Sequence, residues 1–184
     1  MPPIIVGQPW SDDVAEDLRQ PNGQLVICPT TGQPLRAYHA QIIIWAALTA
    51  HPRKPPTAGT PLFPVLLDTG FNETFLMQQR QAEAWLTPAV FAAFKIRGRA
   101  FQAGRESIPG WDMALWLYPN VPDTRDPDTA STPVPLALPL GVPLTPPGSA
   151  HTKEKPLLGL RAIRVNDLSL RIDGRRRRVW LDAP

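Results

Sequence analysis

The sequence has little of what most metal, redox and membrane chemistry requires. Its 184 residues include one cysteine, Cys28, and three histidines, His39, His51 and His151, which are scattered along the chain. A single thiol cannot form an intrachain disulfide or supply a multi-thiolate zinc or iron–sulfur site. No run approaches the roughly 18 apolar residues of a membrane-spanning helix. These absences predict a protein with no metal, no cofactor and no membrane span.

Charge of either sign is also sparse. The chain carries 19 basic and 16 acidic residues, so its formal net charge is only +3, and four arginines are concentrated at 175–178. A solvated strand edge explains this run better than a nucleic-acid site, because no aromatic platform for stacked bases accompanies it. The first residues lack the basic segment and apolar core of a secretory signal. We expect a cytoplasmic protein that binds neither nucleic acid nor membrane, with a basic nucleic-acid adaptor as the weakest alternative.

Proline, in contrast, is abundant. The chain has 24 prolines, and this number excludes a mostly helical fold because proline breaks helix interiors. Helices are expected only at 88–94, where Thr87 and Pro88 supply an N-cap and a first helical residue, and at 160–166. Both predicted helices are short.

Strand patterns dominate the rest of the chain. Apolar residues alternate at 111–117, 134–144 and 168–172, which is the period of a β-strand. Prolines within the second stretch restrict it to an edge strand or an extended polyproline-like segment. Asp173-Gly174 predicts a two-residue hairpin turn. The sequence therefore predicts an all-β domain built as a closed barrel or a folded-over sheet.

The most informative segment is Asp68-Thr69-Gly70. It follows an apolar run at 62–67, which pairs with a run at 40–48 across a proline-rich connection to form a predicted hairpin. A carboxylate at the end of a buried strand is costly unless hydrogen bonds or a shared proton stabilise it. Gly70 has no Cβ, so the backbone can approach that carboxylate closely. The segment is either a turn capped by Asp68 or a catalytic carboxylate loop.

A second segment matches the first. Leu157-Leu158-Gly159 follows about ninety residues later and precedes a short predicted helix and a terminal hairpin. In this order of parts, residues 37–182 resemble the retropepsin-like (retroviral-type) aspartic peptidases, in which an apolar-Asp-Thr-Gly loop is paired with a later apolar-apolar-Gly segment. The resemblance implies a retropepsin-like fold with one lobe per chain. It also implies that Leu157, Leu158 and Gly159 support the Asp68 loop from behind.

The resemblance further implies a mechanism. The chain has one such motif, so the implied enzyme is a homodimeric aspartic endopeptidase in which two Asp68 carboxylates, one per chain, activate a water against a polypeptide substrate. Two carboxylates about 3 Å apart repel by roughly 5 kcal/mol at an effective dielectric constant near 20, so the pair shares one proton. Thr69 would lock the two loops together, and Gly70 would donate its N–H to the carboxylate. No metal or cofactor takes part.

Substrate-binding residues are also implied by the resemblance. A strand leaving the loop at 72–77, a flap at 96–108 and a strand returning at 111–118 would enclose the cleft. The implied substrate-binding residues are Phe71, Asn72, Phe101, Gln102, Ala103 and Gly104. Phe71 departs from the family, which usually has a small residue there, commonly alanine. This departure supports the alternative function, a non-catalytic module that keeps the fold and dimerises or binds peptides.

The first 36 residues lie outside the resemblance. They are interpreted as an N-terminal extension, and residues 37–184 as the retropepsin-like domain. Ile4-Ile5-Val6 could supply an interface strand, as N-terminal segments do in the retroviral members. A removable or regulatory segment is the other interpretation of residues 1–36.

Overall fold

The computed structural model describes residues 3–9, 15–38, 40–50, 53–86, 88–151 and 153–184, with only the backbone at 88 and 89. His39, His51 and the predicted N-cap Thr87 lie outside the described residues.

Strands make up 42% of the structure and helices 9%, which confirms the all-β class. In chain order the strands are β1 (Ile5–Pro9), β2 (Glu16–Asp17), β3 (Arg36–Ala37), β4 (Ile42–Thr49), β5 (Phe63–Asp68), β6 (Phe75–Gln78), β7 (Ile96–Ala103), β8 (Glu106–Trp111), β9 (Ala114–Tyr118), β10 (Val134–Leu136), β11 (Val142–Thr145), β12 (Leu157–Gly159), β13 (Ser169–Asp173) and β14 (Arg178–Asp182). The helices are α1 (Gln79–Trp85), α2 (Pro88–Ala92) and α3 (Leu160–Val165).

Nine strands form the main sheet, in the order β10-β9-β4-β5-β12-β6-β11-β8-β7. Its outermost strands, β10 and β7, do not pair with each other, so the sheet of the described residues is open. The prediction of a closed barrel is therefore wrong. A three-stranded sheet, β1-β14-β13, and a two-stranded sheet, β2-β3, complete the structure.

The predicted hairpin at the centre of the main sheet is confirmed. β4 and β5 are antiparallel, with Ile42 opposite Leu67 and Ile44 opposite Val65. Successive side chains of a strand point to opposite faces, and both faces of β4 are buried. One face packs in the main core through Ile42, Ile44, Ala46 and Leu48. The other face packs in a second apolar cluster through Ile43, Trp45 and Ala47. Since each fully buried isoleucine or leucine side chain contributes roughly 1.5–3 kcal/mol, β4 anchors the strand that carries Asp68.

The N-terminal residues pack against this hairpin. Ile4 and Ile5 are buried in the main core, and β1 pairs antiparallel with β14 of the same chain. Further along, residues between 18 and 37 contribute apolar side chains to the second cluster, on the outer face of β4. These side chains are Leu18, Val26, Cys28, Leu35 and Ala37. Residues before 37 thus share the cores of the remainder of the chain.

Two stretches that were predicted as single strands differ from the prediction. The predicted strand at 111–118 is split, because the N–H of Asp112 donates to the Lys95 carbonyl at 2.8 Å instead of continuing the ladder. Within 134–144, β10 is an edge strand as predicted, but β11 lies between β6 and β8. Pro143 is compatible with this interior position because β11 pairs with β6 only from Leu144 onward. The break at Asp112 and the interior position of β11 both depend on contacts with segments that are distant in sequence, which the local apolar pattern does not specify.

The terminal hairpin forms with a different turn. β13 and β14 pair from Ser169–Asp182 to Asp173–Arg178, which leaves residues 174–177 as the loop. The predicted two-residue Asp-Gly turn is therefore wrong. The Asp173 carboxylate instead accepts the N–H of Arg176 at 2.9 Å, and Arg177 adopts φ = +53°. This side chain–backbone bond closes a longer loop and leaves Arg175, Arg176 and Arg177 exposed.

The short helices follow local capping signals. α2 and α3 lie within the predicted helical stretches. α1 was not predicted, although a capping box between Gln78 and Gln81 marks its start. The Gln81 side chain is buried and donates to the Lys153 and Glu154 carbonyls at 3.0 and 2.7 Å. α1 is therefore held by a segment far away in sequence.

Candidate active site

Asp68 lies at the end of a central strand. β12 runs parallel to β5, with Leu158 opposite Leu67 and Gly159 opposite Asp68. The same three-residue strand pairs antiparallel with β6 on its other side. β12 therefore links the strand that enters the Asp68 loop to the strand that leaves it. Leu157, Leu158 and Gly159, which the resemblance places behind the loop, are all buried in this strand.

The loop itself orients the carboxylate. The N–H of Gly70 donates to Asp68 Oδ1 at 2.9 Å, and the N–H of Phe71 donates to the Asp68 carbonyl at 3.1 Å. A Cβ on Gly70 would lie 3.2 Å from Oδ1, which is a tight contact. Asp68 is half-buried, whereas Thr69 and Gly70 are exposed. The carboxylate is thus held by one oxygen at the surface rather than enclosed in the core.

An open cavity of about 440 Å³ adjoins this carboxylate. Asp68 is the one acidic side chain among the described residues that line it. Sequence reasoning did not identify the residues on its other walls, which come from the start of β4 and from the terminal hairpin. The full lining is Ala40, Gln41, Ile42, Leu66, Leu67, Asp68, Thr69, Ile172 and Val179. Ile172 is 46% exposed, so the cavity has an apolar rim open to solvent.

Phe71 and Phe101, two of the implied substrate-binding residues, are in contact. Their rings meet edge to face with centroids 6.4 Å apart. Both belong to an apolar cluster between the Asp68 loop and the β7–β8 hairpin. Its members are the buried Leu76, Ile108 and Leu157 with the half-buried Leu66, Phe71, Phe101 and Ala103. The structure therefore brings the residue after the motif against the predicted flap.

The β7–β8 hairpin corresponds to the predicted flap. Its turn contains Gly104 with φ = +58°, where glycine is favoured because the left-handed region strains other residues. Ala103 faces the apolar cluster, whereas Gln102 is exposed and donates to the Gly104 carbonyl at 3.2 Å. Asn72 is also exposed. Gln102, Gly104 and Asn72 are thus not drawn into the cluster that holds Phe71.

An ion pair supports the loop from the side of α3. Arg161 lies 3.2 Å from the Glu73 carboxylate, and the N–H of Gly159 donates to the Thr74 carbonyl at 3.1 Å. Both partners of the ion pair are partly exposed, so its contribution to stability is small. Its effect is geometric, since it joins the segment after Phe71 to the helix after Gly159. Sequence reasoning missed this pair.

Two arginines of the terminal hairpin have partners within that hairpin. The Arg171 guanidinium lies 4.4 Å above the Trp180 ring, and Arg176 lies 3.8 Å from Asp173. Among the described residues no group of three or more His, Cys, Asp or Glu side chains could hold a metal ion. The helices in the described part of the chain are too short or too polar to cross a membrane.

One buried charge lies outside the cavity. Lys155 is only 4% exposed, and its ammonium lies 5.1 Å from the centroid of the Tyr38 ring. No carboxylate of the described residues forms an ion pair with it. Burial lowers the pKa of Lys155 below its ordinary value of 10.5, because the charged form loses hydration. The charged amine is therefore a local cost to the folded state.

We expect Lys155→Met to raise the free energy of unfolding at neutral pH by about 1 kcal/mol, since it removes a buried charge and loses one cation–π contact. The folded-state pKa lies below the unfolded one, so the wild-type penalty is full below the folded pKa. It shrinks as pH rises toward 10.5. Urea titrations at several pH values measure the difference. The exposed Lys153→Met is the matched control, and equal effects of the two substitutions would contradict the prediction.

Comparisons of the chain with protein-family models, with curated proteins and with solved structures found no match. Only the residues and their geometry therefore bear on what this site does.

Proposed function

We propose that the protein is a homodimeric aspartic endopeptidase of the retropepsin-like type, in which each chain contributes one Asp68. One observation carries this proposal. A single half-buried carboxylate, oriented by the Gly70 N–H, ends a central strand beside an open cavity. Among the described residues that line the cavity, no second carboxylate of the same chain is present. A carboxylate dyad at this position therefore requires a second copy of the chain.

The chemistry follows from a pair that shares one proton. The ionised carboxylate accepts a proton from water while the water oxygen attacks the peptide carbonyl carbon, and the protonated carboxylate donates to the carbonyl oxygen. The resulting gem-diol collapses by breaking the C–N bond: the protonated carboxyl group donates its proton to the departing nitrogen, and the other carboxylate takes a proton from a gem-diol hydroxyl as the C=O bond re-forms. The products are a carboxyl group and an amine, and the two Asp68 side chains return to their starting state.

The surface around Asp68 supports a twofold interface. Thr69 and Gly70 are exposed, and the partly exposed apolar Ile172 lines the same cavity as Thr69. In a twofold dimer the same patch meets itself, so two exposed loops approach each other across the axis. Burial of Ile172 by the second copy would remove its apolar surface from water. Such contact also brings the two carboxylates toward the same axis.

The substrate that fits this arrangement is an extended polypeptide. β7 is an edge strand of the main sheet, so its outer backbone groups are available to pair with an added strand. The β7–β8 hairpin and the Asp68 loop enclose the apolar cluster that holds Phe71 and Phe101. A peptide between them would receive backbone hydrogen bonds from the hairpin and apolar contacts from the cluster.

A mixing experiment tests the dyad directly. If each active unit needs two Asp68 carboxylates, equal amounts of wild type and Asp68→Asn, allowed to exchange subunits, should retain only about a quarter of the activity of the same total amount of wild type. A chain that acted alone would retain about half. Cleavage of a quenched-fluorescence peptide pool measures the rate, and sedimentation velocity measures the fraction of dimer. Activity that falls in simple proportion to wild-type content would overturn the proposed dyad.

The alternative is a non-catalytic module that binds peptides or only dimerises. The edge contact between Phe71 and Phe101 favours this function, because it occupies apolar surface that a substrate side chain could use. Peptide binding without cleavage at any pH between 3 and 8 (about the range in which carboxylates and a shared proton titrate) would support the module. Cleavage that depends on Asp68 would exclude it.

A further inference from the structure

The Phe71 ring is fixed on more than one side. Phe101 meets it edge to face with centroids 6.4 Å apart. On another side, a Cβ built on Gly159 would lie 2.7 Å from Phe71 Cδ1, so the ring packs directly against the Gly159 backbone. The Phe71 carbonyl accepts the N–H of Leu160 at 2.9 Å, which fixes the backbone that carries the ring. Rotation of the side chain away from this position would break the contact with Phe101 and the packing against Gly159.

The position of the ring relative to Asp68 is also fixed. Only Thr69 and Gly70 separate Phe71 from Asp68, and the Phe71 N–H donates to the Asp68 carbonyl at 3.1 Å. The ring occupies part of the apolar cluster that any side chain entering between the loop and the β7–β8 hairpin would meet. Close packing allows little adjustment around a large side chain in such a cluster. The ring therefore fills apolar space on the side of the loop that faces the β7–β8 hairpin.

We propose that Phe71 determines specificity by restricting two substrate positions to small side chains such as glycine, alanine or serine, and this inference rests on the proposed function. The two positions follow from symmetry. A twofold axis between the two Asp68 residues places one Phe71 at equal distances on each side of the scissile bond. The restriction applies once on the amino-terminal side and once on the carboxyl-terminal side, at mirrored positions.

Positional scanning with a quenched-fluorescence peptide library tests this inference. At two mirrored positions, wild type should prefer alanine to leucine by about tenfold or more in kcat/KM, because a pocket of fixed size discriminates by this amount for a few methylene groups. Phe71→Ala should reduce the preference to about threefold or less at those two positions and leave the other positions unchanged. Phe71→Leu keeps a large apolar group and should retain most of the preference.

Phe91→Ala is the matched control, because Phe91 is also half-buried but packs against Trp111. It should change no positional preference. A binding measurement separates this inference from the proposed function. The Asp68→Asn chain and the Asp68→Asn/Phe71→Ala chain are titrated with fluorescein-labelled peptides that carry alanine or leucine at each position, and anisotropy reports the dissociation constants.

Each outcome bears on one of the two proposals. Cleavage by wild type with a large side chain accepted at every position, or with preferences unchanged by Phe71→Ala, overturns the inference and leaves the peptidase intact. Absence of cleavage, with binding that prefers small side chains only when Phe71 is present, supports the inference and overturns the peptidase. Failure of every peptide to be cleaved or bound by folded protein overturns both.

Discussion

Replacement of Asp68 by asparagine is expected to reduce peptide hydrolysis by about 10³-fold or more while the fold is retained. Asparagine preserves the oxygen that accepts the Gly70 N–H at 2.9 Å, so the loop geometry survives. An amide can neither take a proton from water nor share one with a second carboxylate, and loss of positioned acid–base catalysis costs about 10²–10⁴-fold. The change in kcat/KM on the best library peptide measures the effect, and circular dichroism checks the fold.

Asp123→Asn is the matched control for this prediction. Asp123 is also followed by threonine but lies in a loop with φ = +65°, a conformation that asparagine tolerates well. Its replacement should leave both activity and stability nearly unchanged. Equal activity of Asp68→Asn and Asp123→Asn would show that cleavage by the preparation does not depend on Asp68. The pH profile adds a further criterion, because a dyad that shares one proton loses activity when both carboxylates are protonated and when both are ionised.

Local sequence patterns were sufficient for the centre of the fold. The apolar runs at 40–48 and 62–67 have no charged residue and are joined by a proline-rich connection, so they could be predicted as two strands, which the structure shows as β4 and β5. Leu157-Leu158-Gly159 was placed behind Asp68 through the resemblance, and in the structure it forms β12, in which Gly159 lies opposite Asp68 of β5. The residues of each element are consecutive, so a short stretch of sequence is enough to recognise the element, whereas the position of β12 beside β5 came from the resemblance alone.

The parts that could not be predicted depend on distant neighbours. The strand pattern at 111–118 is interrupted at Asp112 because the N–H of this residue donates a hydrogen bond to the Lys95 carbonyl. Ile172 and Gln41 join the cavity beside Asp68 only because the terminal hairpin and the start of β4 meet there. Neither residue has a local signal of a site. The contact between Phe71 and Phe101 likewise requires the β7–β8 hairpin to fold back over the loop, which alternation within one strand does not specify.

Gly159→Ala is expected to destabilise the protein by at least about 3 kcal/mol, because a Cβ there has no space. It would collide with the carbonyl oxygens of Glu73 and Phe71, and it would lie 2.7 Å from Phe71 Cδ1. The backbone at Gly159 is extended, with φ = −104° and ψ = 177°, and any residue adopts this conformation. The predicted cost therefore arises from contacts and not from backbone strain. Urea unfolding monitored by tryptophan fluorescence measures it.

Gly174→Ala separates a contact effect from a general effect of replacing glycine. No heavy atom lies within 4 Å of a Cβ built on Gly174, so this variant should unfold at nearly the wild-type urea concentration. Equal midpoints for the two variants would contradict the predicted collision.

The double variant Gly159→Ala/Phe71→Ala is the sharper comparison. Removal of the ring relieves the contact with Cδ1 but leaves both carbonyl oxygens in place, so only part of the lost stability should return. Full recovery would mean that the ring alone, rather than the backbone of the Asp68 loop, requires glycine at position 159.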